Sequence, residues 1–196
     1  MLFTVAHQAS ELWLKLAVAE TKQAIFHLEQ EEYLPACRYL VRARDYLQYT
    51  TAQLSMLEKM TPWDYQHVRL ALGHGSGFDS PGFRNLRVQL NRLTSEVQLM
   101  LKSKDLTLES LYLNVKDFEE MYALTELVVD IDESLMLWRS VHIKVIERTI
   151  GGTVEGTQGT PVEVVRNLRD RSIMNELWRV RAELTDRANR ELVVDG

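Results

Sequence analysis

An apolar stripe that recurs every three or four residues constrains the fold of this chain most. Its members are Leu124, Leu127, Val128, Ile131, Leu135 and Trp138. These steps place the side chains on one face of an α-helix. The next positions on that face are His142, Val145 and Thr149. The stripe therefore predicts a long amphipathic helix that points His142 toward the core.

The residues after this helix bear on the role of His142. Gly151 and Gly152 stop the helix, and the segment GTVEGTQGTP supplies flexible backbone and threonine hydroxyls. Two interpretations of His142 are open. One is a core histidine hydrogen-bonded to a serine or tyrosine, since buried polar groups are normally hydrogen-bonded. The other is a ligand of a metal or a heme iron. The polar loop favours the second, because its donors suit a small polar ligand.

The remaining pattern predicts an all-α chain, since no segment alternates with a period of two. Few, long helices are typical of a bundle, and the length fits one domain over residues 1–196. The predicted helices cover residues 2–29, 32–60, 63–72, 81–102, 109–150 with a break near 114–117, and 160–189. Mostly apolar stripes mark the first helix at Leu12, Leu16, Ala19, Gln23 and Phe26, and the second at Leu40, Leu47, Leu54 and Leu57.

Further candidate residues lie near helix starts. Phe3 and His7 are one helical turn apart, so both rings can face one cavity; a surface histidine is the alternative. Residues 73–84 contain four glycines and one proline and predict a loop. Ser80 is then the N-cap of the next helix, with proline at its first position. Arg84 lies in that first turn, where a cation opposes the helix dipole. This suggests an anionic partner for Arg84, with a surface ion pair to Asp79 or a glutamate as the alternative.

Composition excludes several classes of protein. The formal net charge of −5 gives no general attraction to nucleic acid. The single cysteine, Cys37, excludes an intrachain disulfide and a multi-cysteine zinc site, and its helical setting predicts a core position. No apolar run approaches the roughly 18 residues of a membrane span, and no signal pattern opens the chain. A cytoplasmic protein without nucleic-acid or membrane partners is therefore expected.

Several segments resemble, in order, motifs of the tryptophan 2,3-dioxygenase family of heme-dependent oxygenases. FTVAHQASELWLK is similar to the first-helix motif of that family, and SGFDSPGFR resembles its SGF-x-S-x-x-FR motif. WRSVHIKVIERTIGG followed by GT resembles the WR-x-x-H-x-x-x-V-x-R-x-IG … GTGGS motif, and NELWRVRAEL resembles the closing helix. These motifs extend over nearly the whole chain.

The resemblance implies a heme b cofactor in a pocket between the helices. His142 would be the proximal ligand of the iron, with Trp138 and Ser80 also in contact with the heme. The interpretation requires a porphyrin-sized slot between the helix of His142 and the helix of His7.

The resemblance also implies the substrate contacts. His7 would be the catalytic residue on the distal side, near oxygen and the substrate ring, and Phe3 would pack on that ring. Arg84 would bind the substrate carboxylate, a bidentate task that suits a guanidinium. Thr157 would contact the ammonium or the carboxylate of the substrate.

The implied reaction is oxygen insertion into the indole 2,3-bond of tryptophan or an indole relative, with O2 or peroxide as oxidant. The loop reads GTQGT where the family has GTGGS, and Asp79 and Pro81-Gly82 replace a glutamine and a bulkier pair. These departures leave a monooxygenase that hydroxylates a tryptophan or tyrosine derivative open. A heme-binding sensor without turnover and a heme-free helical interaction module are further alternatives. A homo-oligomer, tetramer or dimer, is expected.

Overall fold

The computed structural model describes residues 1–72, 79–152 and 162–194, and within these ranges the regular structure is helical. The helices are α1 (Leu2–Glu29), α2 (Tyr33–Ser55), α3 (Pro62–Leu72), α4 (Pro81–Ser103), α5 (Leu108–Leu113), α6 (Glu119–Ile150), α7 (Val162–Asn167) and α8 (Asn175–Val194), with a short 3-10 helix at Met56–Lys59 after α2. The all-α prediction is confirmed. None of these helices combines the length and the apolar character of a membrane span.

The core forms where α1 packs against α2 and α4, and α2 packs against α6. The predicted stripes of α2 and α6 supply much of it, and this part of the prediction is confirmed. Fully buried members are Leu40, Leu47, Leu124, Val128 and Ile131. Cys37 is buried beside them, and burial raises the pKa of its thiol to about 11. The thiol is therefore un-ionised at neutral pH and fills the core, as predicted.

The apolar stripe of α1 lies on a different face from its buried residues. Leu12 is 65% exposed and Phe26 is 55% exposed, and Leu16 is exposed as well. The buried face instead carries small and branched residues, namely Ala6, Leu14, Ala17, Ala24, Ile25 and Leu28. Small side chains let α2 and α4 approach α1 closely, because the distance between packed helices depends on the side chains at the contact. The larger residues of the stripe remain outside the core.

The start of α4 is held tightly against α1. Ser80 is the N-cap, and its Oγ accepts a hydrogen bond from the Phe83 backbone N–H at 3.1 Å, as predicted. The helix begins at Pro81, the predicted first position. A Cβ atom at Gly82 would lie 2.8 Å from Leu14 Cβ and 2.7 Å from Glu11 Oε2. Only glycine permits this contact, because real Cβ atoms essentially never approach other atoms so closely.

The predicted break before α6 is confirmed. Thr107 caps α5 through a capping box with Ser110, in which each side chain bonds the backbone N–H of the other residue. Helix α5 ends at Leu113, and α6 begins at Glu119. The long helix of the His142 stripe therefore starts where the sequence pattern indicates.

The prediction of one last helix over residues 160–189 is wrong, since α7 and α8 are separate. The cause is Asp132 on α6, which is 1% exposed. Its carboxylate accepts hydrogen bonds from Ser172 Oγ at 2.5 Å, from the Ile173 backbone N–H at 3.1 Å and from Trp178 Nε1 at 2.8 Å. A buried carboxylate needs such donors, and the chain between α7 and α8 bends to supply two of them.

Candidate functional site

A small cleft, here called the histidine cleft, lies where the first half of α1 meets the start of α4 and the middle of α6. It is lined by Ala6, His7, Ser10, Glu11, Leu14, Leu54, Leu57, Ser80, Phe83, Trp138 and His142. Four predicted site residues, namely His7, Ser80, Trp138 and His142, therefore share one cavity although they come from α1, from α6 and from the N-cap of α4. Apolar side chains form most of its walls.

His142 is enclosed by protein on most sides and keeps a minor exposed fraction. Burial lowers the pKa of its imidazole to about 4, and the nearby His7 adds to this shift. The ring is therefore neutral at pH 7. Neither ring nitrogen is hydrogen-bonded to any residue in the described ranges. The interpretation of His142 as a core histidine hydrogen-bonded to a serine or tyrosine is therefore not supported. One ring nitrogen of His142 keeps a lone pair that a ligand could bind.

Trp138 is the largest side chain that lines the histidine cleft. Its ring stacks on the His142 ring, with centroids 4.9 Å apart and planes 24° apart. The Phe83 ring contacts it from α4, with centroids 4.2 Å apart. Residues 138 and 142 are one turn apart on α6, so the helix itself sets this stacking.

His7 and Phe3 form a pair at the exposed end of the histidine cleft. Their ring centroids are 4.0 Å apart, and His7 Nδ1–H donates to the Phe3 backbone carbonyl at 2.8 Å. A carbonyl oxygen only accepts, so Nδ1 carries the proton and Nε2 of neutral His7 carries the lone pair. Tyr65 of α3 approaches Phe3, with ring centroids 6.0 Å apart. His7 is exposed at this end of the cleft.

Glu11 is a site residue for which the sequence analysis assigned no role. It lies one turn after His7 on α1 and lines the histidine cleft. Its Oε1 accepts a hydrogen bond from the Ser80 hydroxyl, and its Oε2 accepts one from the Gly82 backbone N–H at 2.9 Å. Glu11 is four residues from His7 in the sequence, and this spacing places both side chains on one face of the helix. The spacing could therefore have indicated that Glu11 lies near the site.

The predicted substrate contact Arg84 is not among the residues that line the histidine cleft. Arg84 lies in the first turn of α4, as predicted, but its side chain is exposed and does not line the cavity. The alternative of an ion pair finds no support, since the guanidinium pairs with no carboxylate in the described ranges. Thr157 lies outside the described residues.

The donor chemistry of the histidine cleft suits a heme iron. In residues 1–72, 79–152 and 162–194, no group of three His, Cys, Asp or Glu side chains could hold a bare metal ion. A heme brings four nitrogen ligands of its own and needs one imidazole from the protein. His142 offers a neutral imidazole with a free lone pair among apolar walls, and this donor set fits the group.

The size of the histidine cleft does not match the predicted porphyrin-sized slot. The cavity volume is about 50 Å³, whereas ligand pockets typically measure ~300–1,000 Å³. That part of the prediction is wrong, because the Trp138 ring lies between Phe83 and His142. With the side chains in these positions the cleft is too small for a heme, and Trp138, its largest lining side chain, would have to move for one to enter.

Comparisons with known proteins agree with the family resemblance of the sequence motifs. A family model described as tryptophan 2,3-dioxygenase matches residues 1–109. The tryptophan 2,3-dioxygenase of Bacillus thuringiensis (strain Al Hakam) is 29% identical over 235 residues, which cover 94% of this chain and 84% of the relative. The enzyme of the same name from Shewanella woodyi is 28% identical, with 94% and 82% covered. These alignments are longer than the chain, so the relatives carry extra residues within the matched region.

The position of Trp138 generates a prediction about heme entry. Replacement of Trp138 with alanine removes the largest side chain that lines the histidine cleft, so the association rate of hemin should rise several-fold, as measured by stopped-flow absorption. Trp63→Ala is the matched control, because Trp63 is 73% exposed on α3 and does not line the cleft. An unchanged or slower association rate in Trp138→Ala would show that the ring does not obstruct entry.

Proposed function

Since the chain belongs to the tryptophan 2,3-dioxygenase family and is thereby an oxidoreductase, we propose that it oxidises an aromatic amino acid with the aid of heme b. Tryptophan or an indole derivative is the proposed substrate, and O2 the proposed oxidant, with peroxide as the other source of oxygen. The proposed reaction inserts both oxygen atoms across the indole 2,3-bond. The relatives carry this activity in their names.

One observation supports this proposal most. A neutral imidazole without a hydrogen-bond partner among the described residues shares an apolar cleft with a second histidine from another helix. A partnerless polar ring in apolar surroundings costs free energy on folding, and binding of an iron would offset that cost. This arrangement supports the proposal that His142 binds a heme iron.

Each residue has a proposed task toward the cofactor. His142 would hold the iron through its free ring nitrogen, and Trp138 and Ser80 would contact the porphyrin. When bound, the heme supplies the iron at which oxygen is activated. The apolar walls, including Leu14 and Leu54, would exclude water from that side of the site and so strengthen electrostatic interactions inside it.

Other residues would orient the substrate. His7, with its proton fixed on Nδ1 by the Phe3 carbonyl, would accept a hydrogen bond or a proton from the substrate at Nε2. Phe3 would pack against the aromatic ring. The exposed guanidinium of Arg84 would bind the carboxylate in a bidentate manner, and Thr157 would contact the ammonium or carboxylate group. Fixing the amino acid at both ends positions its ring for reaction.

The reaction is tested by product mass. The protein is reconstituted with hemin, reduced and supplied with L-tryptophan and 18O2, and the products are analysed by mass spectrometry. We expect a product heavier than tryptophan by two labelled oxygen atoms, because ring cleavage retains both atoms. A parallel reaction with hydrogen peroxide identifies the oxidant.

The other outcomes of this test separate the alternatives. Insertion of one oxygen atom, into tryptophan or a tyrosine derivative, would identify a monooxygenase. A heme spectrum without any product would identify a binding or sensing protein. The absence of a heme Soret band after reconstitution would contradict the proposal altogether and favour a helical interaction module.

We also propose that the chain forms a homo-oligomer through the exposed stripe of α1. The apolar stripe extends at steps of three and four, and its exposed large members are Leu2, Val5, Leu12, Leu16 and Phe26. Ala9, Ala19 and Gln23 occupy the intervening positions of the same heptad pattern. A stripe of this spacing is the form that pairs with another helix. A second copy offers the same surface, so a two-fold dimer can bury both stripes at once.

The oligomer is tested by the double substitution Leu12→Lys and Leu16→Lys. Two cations in the stripe should separate the copies, and light scattering after size exclusion should give the mass of one chain, 22.7 kDa. Thr4→Lys adds a cation to an exposed position of α1 outside the stripe and should leave the oligomer intact. A wild-type protein that elutes with the mass of one chain at micromolar concentration would refute this interface.

A further inference from the structure

Glu11 connects the helix of His7 to the start of α4. The Ser80 hydroxyl donates to its Oε1, and the Gly82 backbone N–H donates to its Oε2 at 2.9 Å. The side chain is partly buried in the histidine cleft. A carboxylate at a helix N-terminus is stabilised by the helix dipole and by the free N–H groups there. The bond between α1 and α4 is therefore of the charge-assisted, stronger kind.

With Glu11 in place, the N-terminus of α4 has no backbone donor left for another anion. Pro81 has no N–H, Gly82 donates to Glu11, and Phe83 donates to Ser80 Oγ at 3.1 Å. The Arg84 N–H makes the first bond within the helix, to the Ser80 carbonyl at 3.3 Å. A ligand carboxylate at this end of α4 can therefore be bound only by a side chain. The guanidinium of Arg84 is the cation of that first turn.

The position of that guanidinium depends on how the first turn of α4 is held. Gly82 lies against Glu11 and Leu14 at distances that leave no room for a Cβ atom. His7, Glu11 and Leu14 follow one another at steps of four and three along one face of α1. Glu11 therefore fixes the first turn of α4, and with it the backbone of Arg84, relative to His7.

We infer that Glu11 is a positioning residue for the carboxylate end of the substrate, acting through Arg84. It touches no reacting atom. It holds the Ser80–Arg84 turn against the face of α1 that carries His7, so that a substrate whose carboxylate is on Arg84 would direct its ring toward His7. This inference rests on the proposed function.

The test is a double-mutant cycle on ligand binding. Glu11→Gln keeps the size of the side chain but removes its charge. The amide NH2 of glutamine also cannot accept the hydrogen bond that one donor of the α4 turn gives to Glu11. The dissociation constant of L-tryptophan for the heme-loaded protein is measured by spectral titration for the wild type, Glu11→Gln, Arg84→Ala and the double variant. We expect each single variant to weaken binding about tenfold or more, as for loss of a charged hydrogen bond, and the double variant to bind no more weakly than Arg84→Ala.

Tryptamine, which lacks the carboxylate, separates positioning from a general loss of structure. Its dissociation constant should be the same in the wild type and in Glu11→Gln, and the Soret band of the two proteins should coincide. Glu20→Gln is the matched control on the same helix, because Glu20 pairs with Arg42 at the surface. It should not change the binding of either ligand. Amide hydrogen exchange at Gly82 should become faster in Glu11→Gln alone.

The outcomes are distinct. If the wild type binds tryptophan and the effects of Glu11→Gln and Arg84→Ala add, or if tryptamine binding falls as much as tryptophan binding, Glu11 is no positioning residue and the proposed function stands. If the wild type binds no aromatic amino acid, the proposed function fails and the role of Glu11 in substrate binding fails with it.

Discussion

The close packing of α1 against α4 is the constraint on which the rest of the site depends. Gly82 lies so near Leu14 that no larger residue fits, and the Glu11 carboxylate bonds the first turn of α4 at the same level. This contact brings Ser80 and Phe83 to the side of α1 that carries His7. Without it, the cavity would lose one wall, and the sequence-distant polar residues would not meet. The alanines of the buried α1 face serve the same purpose, since they let neighbouring helices approach.

The opposite wall comes from α6, which begins at Glu119 after the break that follows α5. Further along, buried Asp132 bonds the segment between α7 and α8 and holds α8 against the bundle. His142 is thus presented from a helix whose neighbours are fixed, and its imidazole is neutral because burial opposes the charged form. A rigid support of this kind is what precise ligand placement requires.

Local sequence patterns predicted the helices well, and they also predicted which faces of α2 and α6 are buried. A repeat of apolar residues every three or four positions indicates burial directly when only one face of a helix packs on the core. Ser80 as N-cap and the break before α6 were also predictable, since capping chemistry is local.

The exposure of the α1 stripe could not be predicted, because periodicity does not say whether a partner helix belongs to the same chain. The separation of α7 from α8 depends on Asp132, which lies 40 residues from Ser172, and no local signal carries that contact. Glu11 was missed for a similar reason, since its partners come from α4. The width of the histidine cleft depends on the orientation of the Trp138 ring, which the sequence does not specify.

The central claim is that the His142 imidazole binds a heme iron, and absorption spectroscopy of hemin-reconstituted protein tests it most directly. The wild type should show the Soret band of a histidine-ligated heme. His67→Ala, in which an exposed histidine of α3 is removed, should show the same band. His142→Ala should lose it, and added imidazole should restore it by occupying the vacated position. A Soret band in His142→Ala identical to that of the wild type, without imidazole, would contradict the account.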